Sequence, residues 1–575
     1  MNLFLDYQKK FLQLLHKLKK KHQIKLPKNL VGITVELPPK NQHADMSSNI
    51  ALVLSKVNNM PPIECANVLK KHLLNNFKEF SSVDVAKPGF LNFQFKDRFW
   101  MNHLTNIIKD GKKYGSSKIK KKKYNIEFVS ANPTGPLHVG HCRGAVLGDA
   151  LSNLLKFNGN KIVKEYYVND YGNQIKNFVY SVYCRILEIT KNKTFPDNEN
   201  LYPGDYIINV AKKIIENKNI KNFDNYDFIE QKLTKESLNL SIKEIQNNLI
   251  NLGIKHDNFF YESKLINSKL VSKTIKKLEK EKYIYKGKIR APKSVTNESW
   301  NERDQLLFKS TIFGDDIDRP LQKSDKSWTY FAGDIAYHAN KIGRKFDILI
   351  NILGADHAGY TKRISAAVLA ISKKKIKLIC KVSQLVKLMK KGEPFKMSKR
   401  KGNYITIDDL VKEVGKDSVR FMMLSRSNDV ELDFDFSKVK EKSKDNPLYY
   451  VQYCYARICS VFRNTNYNIN DNLKIKNQTY NYTEDEIKIL KKVSEWPRCL
   501  DTASNKLEPH RIPVYLYELS SEFHSYWNKG KDDVSKRFID KNNNISDDKL
   551  VLLKTVSIVI KIGMQILGVN TPEKM

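Results

Sequence analysis

The sequence predicts an α/β fold built on a doubly wound parallel sheet, with a smaller α+β domain before it and an all-α domain after it. Ile126–Val129 is a short apolar run, followed by a proline- and glycine-rich turn and then by small and apolar residues at helical spacing. Phe346–Tyr360 is a continuous apolar run that ends at Gly354 and Asp356, as a buried parallel strand with a functional loop does. From residue 437 onward glycine is rare and long helical patterns follow one another.

Composition points to a globular chain with a polyanionic partner. The 575 residues are enough for several domains, and 41% of them are hydrophobic. Lys and Arg number 100 against 62 Asp and Glu, a net charge of +38 that favours nucleic acid, although a coding bias toward Lys, Asn and Ile explains part of it. The seven cysteines show no CxxC spacing, which argues against zinc knuckles and disulfides and predicts a reducing cytoplasm.

The chain is not predicted to enter a membrane. Its start does not have the pattern of a signal peptide, and no stretch approaches the ~20 apolar residues that a span requires. The first 23 residues form a basic amphipathic helix, which can bind membranes. We expect it to pack within the N-terminal domain instead.

Three domains are predicted. Residues 1–115 form the α+β domain, with a strand in Gly32–Pro38, helices in Asp45–Val57 and Pro62–Phe77, and an edge hairpin over Val83–Phe95. Gly111–Lys123 is interpreted as a solvated linker, with a direct contact to an RNA backbone as the alternative. Residues 124–436 form the α/β domain, in which residues 191–280 are predicted to be a helical insertion between the halves of the sheet. Residues 437–575 form a helical bundle. Candidates for stacking on bases there are Tyr449, Tyr450, Tyr453, Tyr455 and Arg457. Since an aromatic stripe on a bundle helix more often belongs to the core, we expect some of these residues in each role.

The most informative stretch lies at the first strand–turn–helix unit. It reads Ser130, Ala131, Asn132, Pro133, Thr134, Gly135, Pro136, Leu137, His138, Val139, Gly140 and His141. Such a unit brings backbone N–H groups and the positive end of a helix together, which suits a phosphate. The two histidines flank a glycine that would let a base approach, and each can donate a hydrogen bond. An isolated HxxH is weak evidence, because a βα loop can hold two incidental histidines.

Two further patterns suggest chemistry. Lys396, Met397, Ser398 and Lys399 lie in a glycine-flanked basic loop, interpreted as a mobile clamp that neutralises phosphate charge; a basic surface loop is the alternative. Tyr330, Asp334 and His338 follow one another at intervals of four residues and therefore share one face of a helix. A lone Asp on a helix is usually a surface charge, but this interpretation is weaker for Asp334 because aromatic and small residues surround it.

Several strings in the right order resemble the bacterial arginyl-tRNA synthetases, which are class I aminoacyl-tRNA synthetases. They are FVSANPTGPLHVGHCRGAVLGDAL, EYYVNDYGNQI, TYFAGDIAYH, ILGADHAGYTKRI, MSKRKGN, VELDFDF and YYVQYCYARI. The histidine and lysine motifs look like the HIGH and KMSKS signatures of that class. The resemblance covers nearly the whole chain. It implies a Rossmann-type catalytic domain, an N-terminal domain that touches the tRNA corner and an all-α anticodon-binding domain. It also implies formation of arginyl-tRNA, AMP and pyrophosphate from ATP, L-arginine and tRNA(Arg).

The resemblance also implies roles for individual residues. ATP would be bound by Pro136, His138, Gly140, His141, Asp356, Lys396, Met397, Ser398 and Lys399, of which His138, His141, Lys396 and Lys399 would be catalytic. Arginine would be bound by Ser130, Asn132, His141, Tyr330, Asp334 and His357. Mg²⁺ is expected to arrive with ATP, and no protein-bound metal is expected. The expected protein is a cytoplasmic monomer without membrane association.

Departures from the family pattern are small. Val139 replaces the isoleucine of the signature, and Cys142 stands where a small residue is usual and is expected to pack rather than to react. Three alternatives are weighed. A class I synthetase for another amino acid, such as cysteine, is disfavoured by the missing zinc-type cysteines and by the strings DYGNQI and TYFAGD. A catalytically silent RNA-binding paralogue is disfavoured by both intact motifs. A membrane-associating scaffold has little support beyond charge.

Overall fold

The computed structural model describes residues 2–39, 42–116, 121–288, 304–395, 405–471, 473 and 482–575. The chain divides into two compact units. Unit 1 comprises Met1–Lys118, Lys442–Ile566 and Asn570–Met575, and unit 2 comprises Ile119–Glu441 and Leu567–Val569.

The N-terminal part of unit 1 is an antiparallel sheet with helices packed against it. Its elements are α1 (Leu3–Lys20), β1 (Val35–Glu36), β2 (Met46–Ser48), α2 (Ile50–Ser55), α3 (Pro62–Asn76), β3 (Phe80–Ala86), β4 (Phe90–Phe95) and α4 (Asp97–Asp110), with sheet order β1-β2-β4-β3. The buried face of α1 stacks Phe11 on Phe93, with ring centroids 5.0 Å apart. The amphipathic N-terminal helix is therefore a core helix of this unit.

Two predictions for this part need correction. The segment Asp45–Val57 is not helical from its start: Met46–Ser48 pair with β4 as a strand, and the helix begins only at Ile50. The segment Gly111–Lys123 is not wholly solvated, because Tyr114 is buried and its hydroxyl donates to the carbonyl of Val493 at 3.1 Å. The hairpin over Val83–Phe95 is confirmed, with β3 at the sheet edge.

Unit 2 contains the predicted parallel sheet. Its strands are β5 (Lys123–Glu127), β6 (Lys161–Val168), β7 (Asn258–Tyr261), β8 (Ile284–Gly287), β9 (Gln305–Phe308), β10 (Arg319–Pro320), β11 (Ile348–Gly354), β12 (Leu378–Ser383), β13 (Val386–Lys390), β14 (Glu393–Pro394) and β15 (Leu432–Asp435). The main sheet has the order β12-β11-β5-β6-β7, and every neighbouring pair in it is parallel. This confirms the doubly wound α/β fold, with β8–β10 and β13–β15 as two small additional sheets.

Helices connect and cover these strands. They are α5 (Val139–Phe157), α6 (Asn173–Lys191), α7 (Asp205–Glu216), α8 (Tyr226–Asn251), α9 (Ser263–Asn267), α10 (Leu270–Lys280), α11 (Tyr330–Gly343), α12 (Thr361–Ile371), α13 (Ile407–Val414), α14 (Lys416–Met423) and α15 (Phe436–Lys440). Residues 191–280 are mostly helical, as predicted. However, β7 lies within them and extends the main sheet by pairing with β6, so this region is more than an insertion.

The C-terminal part of unit 1 is helical, as predicted. It contains α16 (Pro447–Asn464), α17 (Glu484–Ser494), α18 (Trp496–Lys506), α19 (Arg511–Asp532) and α20 (Asp547–Leu567). The apolar helix α20 corrects the expectation that no stretch approaches the length of a membrane span. By length and composition alone it could cross a membrane, but 83% of its most apolar window is buried inside the molecule.

Candidate active site

The site lies where the parallel strands of unit 2 end. Since the strands of the main sheet are parallel, their carboxyl ends share one edge, where ligands of such sheets bind. The segment Ser130–His141 follows β5, Asp170 follows β6, and Asp356 follows β11. The topology therefore brings three of the predicted polar segments to the same edge.

The two histidines hold the start of α5. His138 is the N-cap, and its Nδ1 accepts the N–H of Gly140 at 3.1 Å. Nδ1 of His141 accepts the N–H of His138 at 3.4 Å, which completes a capping box. A Cβ on Gly140 would lie 2.8 Å from Cε1 of His138. Any side chain at position 140 would therefore displace the His138 ring from its place over Gly140.

The same contacts set the protonation of both rings. Burial lowers the pKa of His138, and burial together with the charge of His138 lowers the pKa of His141 to about 4, against the opposing effect of Asp356. Both imidazoles are therefore neutral near neutral pH. Because each Nδ1 accepts a hydrogen bond, each proton lies on Nε2, where it can be donated to an oxygen of an anion. Cys142 is buried with a pKa raised to about 12 by burial, which agrees with a packing role.

The segment after the lysine motif is anchored to the histidine motif. Lys396, Met397, Ser398 and Lys399 lie outside the described residues. Ile405–Ile407, which follow them, pair with Leu137–Val139: Val139 donates to the carbonyl of Ile405 at 3.0 Å, and Ile407 donates to that of Leu137 at 2.9 Å. Thr406 and His138 form an antiparallel bridge. The segment that follows the lysine motif in the chain thus contacts the histidine motif directly.

Asp334 on α11 lies among other acidic side chains. We call Asp334, Glu262, Glu127 and Asp170 the acidic pocket. The hydroxyl of Tyr360 donates to the Asp334 carboxylate. His338 donates from Nδ1 to the Asp334 carbonyl at 2.8 Å, while its Nε2 accepts from Asn351 at 3.1 Å. Burial raises the pKa of Asp334 to about 7; the Tyr360 hydrogen bond opposes this rise and the charge of Glu127 adds to it. A half-buried carboxyl with this pKa is suited to binding a cation, which would favour its ionised form.

Glu262 is a second carboxylate of this pocket that the sequence analysis missed. Burial and the charges of Asp334 and Asp170 raise its pKa to about 7, while a hydrogen bond with Tyr167 opposes the rise. Glu262 directly follows β7. A polar residue at the end of a strand is the signal that would have revealed it, had β7 been recognised.

The backbone is strained where β5 ends. Val129 and Ser130 have φ of 71° and 44°, and positive φ is costly for a β-branched residue such as Val129. In this conformation Ser130 Oγ accepts the N–H of Tyr167 at 3.0 Å and donates to Glu127 at 3.2 Å. Ser130 is thereby fixed beside Glu127 of the acidic pocket.

The remaining residues predicted to bind ATP or arginine, within the described part of the chain, are exposed or half-buried. Asn132 is exposed and donates to Gln174 at 2.5 Å. Asp356 and His357 are exposed and lie 3.2 Å apart, with the charge of Asp356 reaching His141. Tyr330 shares the helix with Asp334 but is 68% exposed. Pro136 precedes the cap of α5 and is half-buried.

Comparisons with known proteins converge on one description. The class I (R) tRNA synthetase catalytic domain matches residues 103–442, the arginyl tRNA synthetase N-terminal domain matches 6–95, and the DALR anticodon binding domain matches 451–575. The arginine–tRNA ligase of Pelagibacter ubique is 60% identical over the whole of both chains, and that of Roseobacter denitrificans is 42% identical over the same extent. The Thermus thermophilus arginyl-tRNA synthetase structure has a TM-score of 0.70 at 18% identity, covering 98% of each chain.

Proposed function

The chain belongs to the arginyl-tRNA synthetases of class I, and on that premise we propose how its residues activate L-arginine with ATP and transfer it to tRNA(Arg). Activation forms arginyl-adenylate and releases pyrophosphate. In the second step a ribose hydroxyl at the tRNA end displaces AMP. The observation that carries the assignment of roles is the acidic pocket at the same sheet edge as the capped entry of α5.

Asp334 and Glu262 receive the guanidinium of arginine. A guanidinium presents five N–H donors in a plane and requires fixed acceptors. Two half-buried carboxyls with pKa near 7 supply these, and the bound cation drives both into their ionised form. Tyr330, one helical turn before Asp334, is assigned to the same side-chain site. Ser130, Asn132, His141 and His357 are assigned to the α-amino and carboxylate end of arginine.

Positioning and charge stabilisation drive the chemical step. The carboxylate oxygen of arginine attacks the α-phosphorus of ATP, and the bond to the pyrophosphate oxygen breaks, so a general base is not required. Nε2–H groups of His138 and His141 donate to phosphate oxygens, and Lys396 and Lys399 neutralise the charge that develops. Gly140, Pro136, Asp356, Met397 and Ser398 complete the ATP site. Mg²⁺ enters with the phosphates of ATP as part of that substrate.

The remaining parts of the chain serve tRNA. We assign residues 1–115 to the corner of tRNA, 124–436 to catalysis and 437–575 to the anticodon. In α16, Tyr449, Tyr450 and Tyr453 are half-buried and Arg457 stacks over Tyr453 at 4.2 Å, which supports a base-stacking surface, whereas Tyr455 is buried and belongs to the core. The protein is proposed to act as a cytoplasmic monomer without membrane association.

The test is exchange of labelled pyrophosphate into ATP. Exchange is expected with arginine in the presence of tRNA(Arg). Citrulline, which replaces the guanidinium by a neutral urea of the same shape, is expected to support less than about one ten-thousandth of that exchange, because half-buried carboxylates would lose their counter-charge. Equal exchange with citrulline or lysine would overturn the assigned pocket.

A further inference from the structure

The last turn of α8 contacts both segments that border the ATP site. Asn248, which is 2% exposed, points from this turn toward the entry of α5. Its Oδ1 accepts the N–H of Leu137 at 3.0 Å. Its Nδ2 donates to Oδ2 of Asp408, in the first turn of α13, at 3.0 Å. One side chain therefore joins the histidine motif to the helix that follows the lysine motif.

Leu137 couples these segments through both of its backbone groups. Its N–H is bound by Asn248, and its carbonyl accepts the N–H of Ile407 at 2.9 Å. Leu137 immediately precedes His138, the cap of α5. A shift of α8 would therefore reach both the histidine-bearing helix start and the anchor of the lysine loop.

The network permits a single orientation of the Asn248 amide. Leu137 offers a donor and Asp408 an acceptor, so a rotated amide would set donor against donor and acceptor against acceptor. Asn251 donates to the other carboxylate oxygen of Asp408 at 3.0 Å and so completes its coordination. Asn248 is buried, Asp408 half-buried and Asn251 exposed. The cost of leaving a hydrogen bond unmade is therefore greatest at Asn248, which fixes the geometry of the network.

We propose that Asn248 is a positioning residue for adenylate formation, holding the entry of α5 and the start of α13 at the separation that lets both signature motifs reach ATP. Asn248 acts through Leu137 and Asp408 and does not itself touch substrate. The helix α8, which lies between β6 and β7 in the chain, thus serves as a brace of the nucleotide site. This inference rests on the proposed role of the two motifs in binding ATP.

A pair of substitutions separates this role from general damage. Asn248→Asp leaves the acceptor for Leu137 but sets a carboxylate against Asp408. Adding Asp408→Asn exchanges donor and acceptor across the pair: the new carboxylate accepts from Leu137 and from the new amide, whose oxygen accepts from Asn251. All three hydrogen bonds can then form again. Asn247→Asp, at the exposed neighbouring position, makes the same chemical change as a control.

Kinetics of pyrophosphate exchange with arginine and tRNA give the first readout. Asn248→Asp is expected to raise the KM for ATP about tenfold, which corresponds to about 1.4 kcal/mol, and to lower kcat. The KM for arginine is expected to change less than about twofold. The double variant is expected to recover the ATP KM, and Asn247→Asp to match the parent. An unchanged ATP KM in Asn248→Asp, or a double variant as impaired as the single one, would overturn the proposal.

Hydrogen exchange of the peptide spanning residues 136–141 gives a readout independent of activity. Protection of this segment is expected to fall in Asn248→Asp and to return in the double variant. Equal protection in all variants would refute the brace. Loss of arginine-dependent exchange in the parent protein would instead refute the proposed function, so the two failures are distinguishable.

Discussion

Glu262 is harder to ionise because Asp334 lies near it, and Asp334 is harder to ionise because Glu127 lies near it. Asp334 and Glu262 both lie in a desolvated pocket, and the charge of Asp334 is among the causes that raise the pKa of Glu262. Ionisation of two such carboxyls is unfavourable without a ligand and becomes favourable when a planar cation binds beside them. The pocket therefore has a built-in preference for arginine over a neutral amino acid of the same size.

Removing the charge of Asp334 tests this preference. Asp334→Asn keeps the shape of the side chain but leaves the guanidinium without one counter-charge, so the KM for arginine is expected to rise about a hundredfold or more, while the KM for ATP stays near that of the parent. Steady-state pyrophosphate exchange measures both. Asp325→Asn, at an exposed turn where the carboxylate binds Ser327, is the control. An arginine KM equal in both variants would exclude Asp334 from the pocket.

The raised pKa values also predict a pH dependence. The guanidinium of arginine stays charged between about pH 6 and about pH 8, whereas Asp334 and Glu262, each with a pKa of about 7, become ionised within this range. The KM for arginine is therefore expected to fall about tenfold as pH rises across this range. The KM for ATP should change little, because His141, with a pKa of about 4, is already neutral. A flat arginine profile would contradict ionisation of this pocket.

Sequence spacing predicted the helix face that carries Asp334 but not the depth of each residue on it. Tyr330 and His338 share that face, yet Tyr330 is 68% exposed and His338 is 2% exposed. Depth depends on what packs above the helix, which spacing does not encode. Asn248 was missed for a similar reason: a single asparagine in a polar helix has no distinguishing pattern.

Among the elements, short strands were the hardest to predict. β7 has only four residues, and β2 has three, so neither is long enough to show an alternating pattern against flanking helical residues. A long continuous pattern such as that of β11 was recognised. The missed strand had a consequence for function, since Glu262 follows β7.

A buried ion cluster ties the strands of the main sheet to α11. Glu165 of β6 is fully buried; it accepts two hydrogen bonds from Arg344, at 2.5 and 2.7 Å, and one each from Tyr337 at 2.8 Å and Asn258 at 2.7 Å. Burial alone would raise its pKa, but the Arg344 hydrogen bonds and the charge of Lys341 hold it at about 2. The cluster joins β6, β7 and the helix that bears Asp334.

Breaking this cluster is expected to destabilise unit 2. Glu165→Gln leaves Arg344 without its counter-charge, at a cost of about 3 kcal/mol, and should lower the thermal midpoint by several degrees. Glu431→Gln breaks an exposed pair with Lys387 at 2.5 Å and should change the midpoint little. Because the pKa of Glu165 is depressed, its contribution to folding stability is fully present above about pH 4.5 and is lost as the pH falls toward 2. Equal midpoints for both variants near neutral pH would contradict a structural role for the cluster.

At the scale of the whole molecule, the sequence predicted the kinds of elements in each region but not how distant regions combine. Asp45 and Lys491 form an ion pair of 2.8 Å within unit 1, between segments at opposite ends of the chain. Gly115 lies against Trp496 in the same unit. Such contacts leave no periodic trace in a single sequence, because each partner is ordinary in its local surroundings.

Charging of tRNA(Arg) with each standard amino acid tests the central claim most directly, because it requires the pocket, the ATP site and the tRNA-binding parts of the chain to act together. Purified protein, ATP, Mg²⁺ and tRNA(Arg) are expected to yield aminoacyl-tRNA with arginine alone, and the product should be lost with Asp334→Asn at low arginine concentration. Charging by another amino acid at a comparable rate, or an absence of charging by arginine, would contradict it.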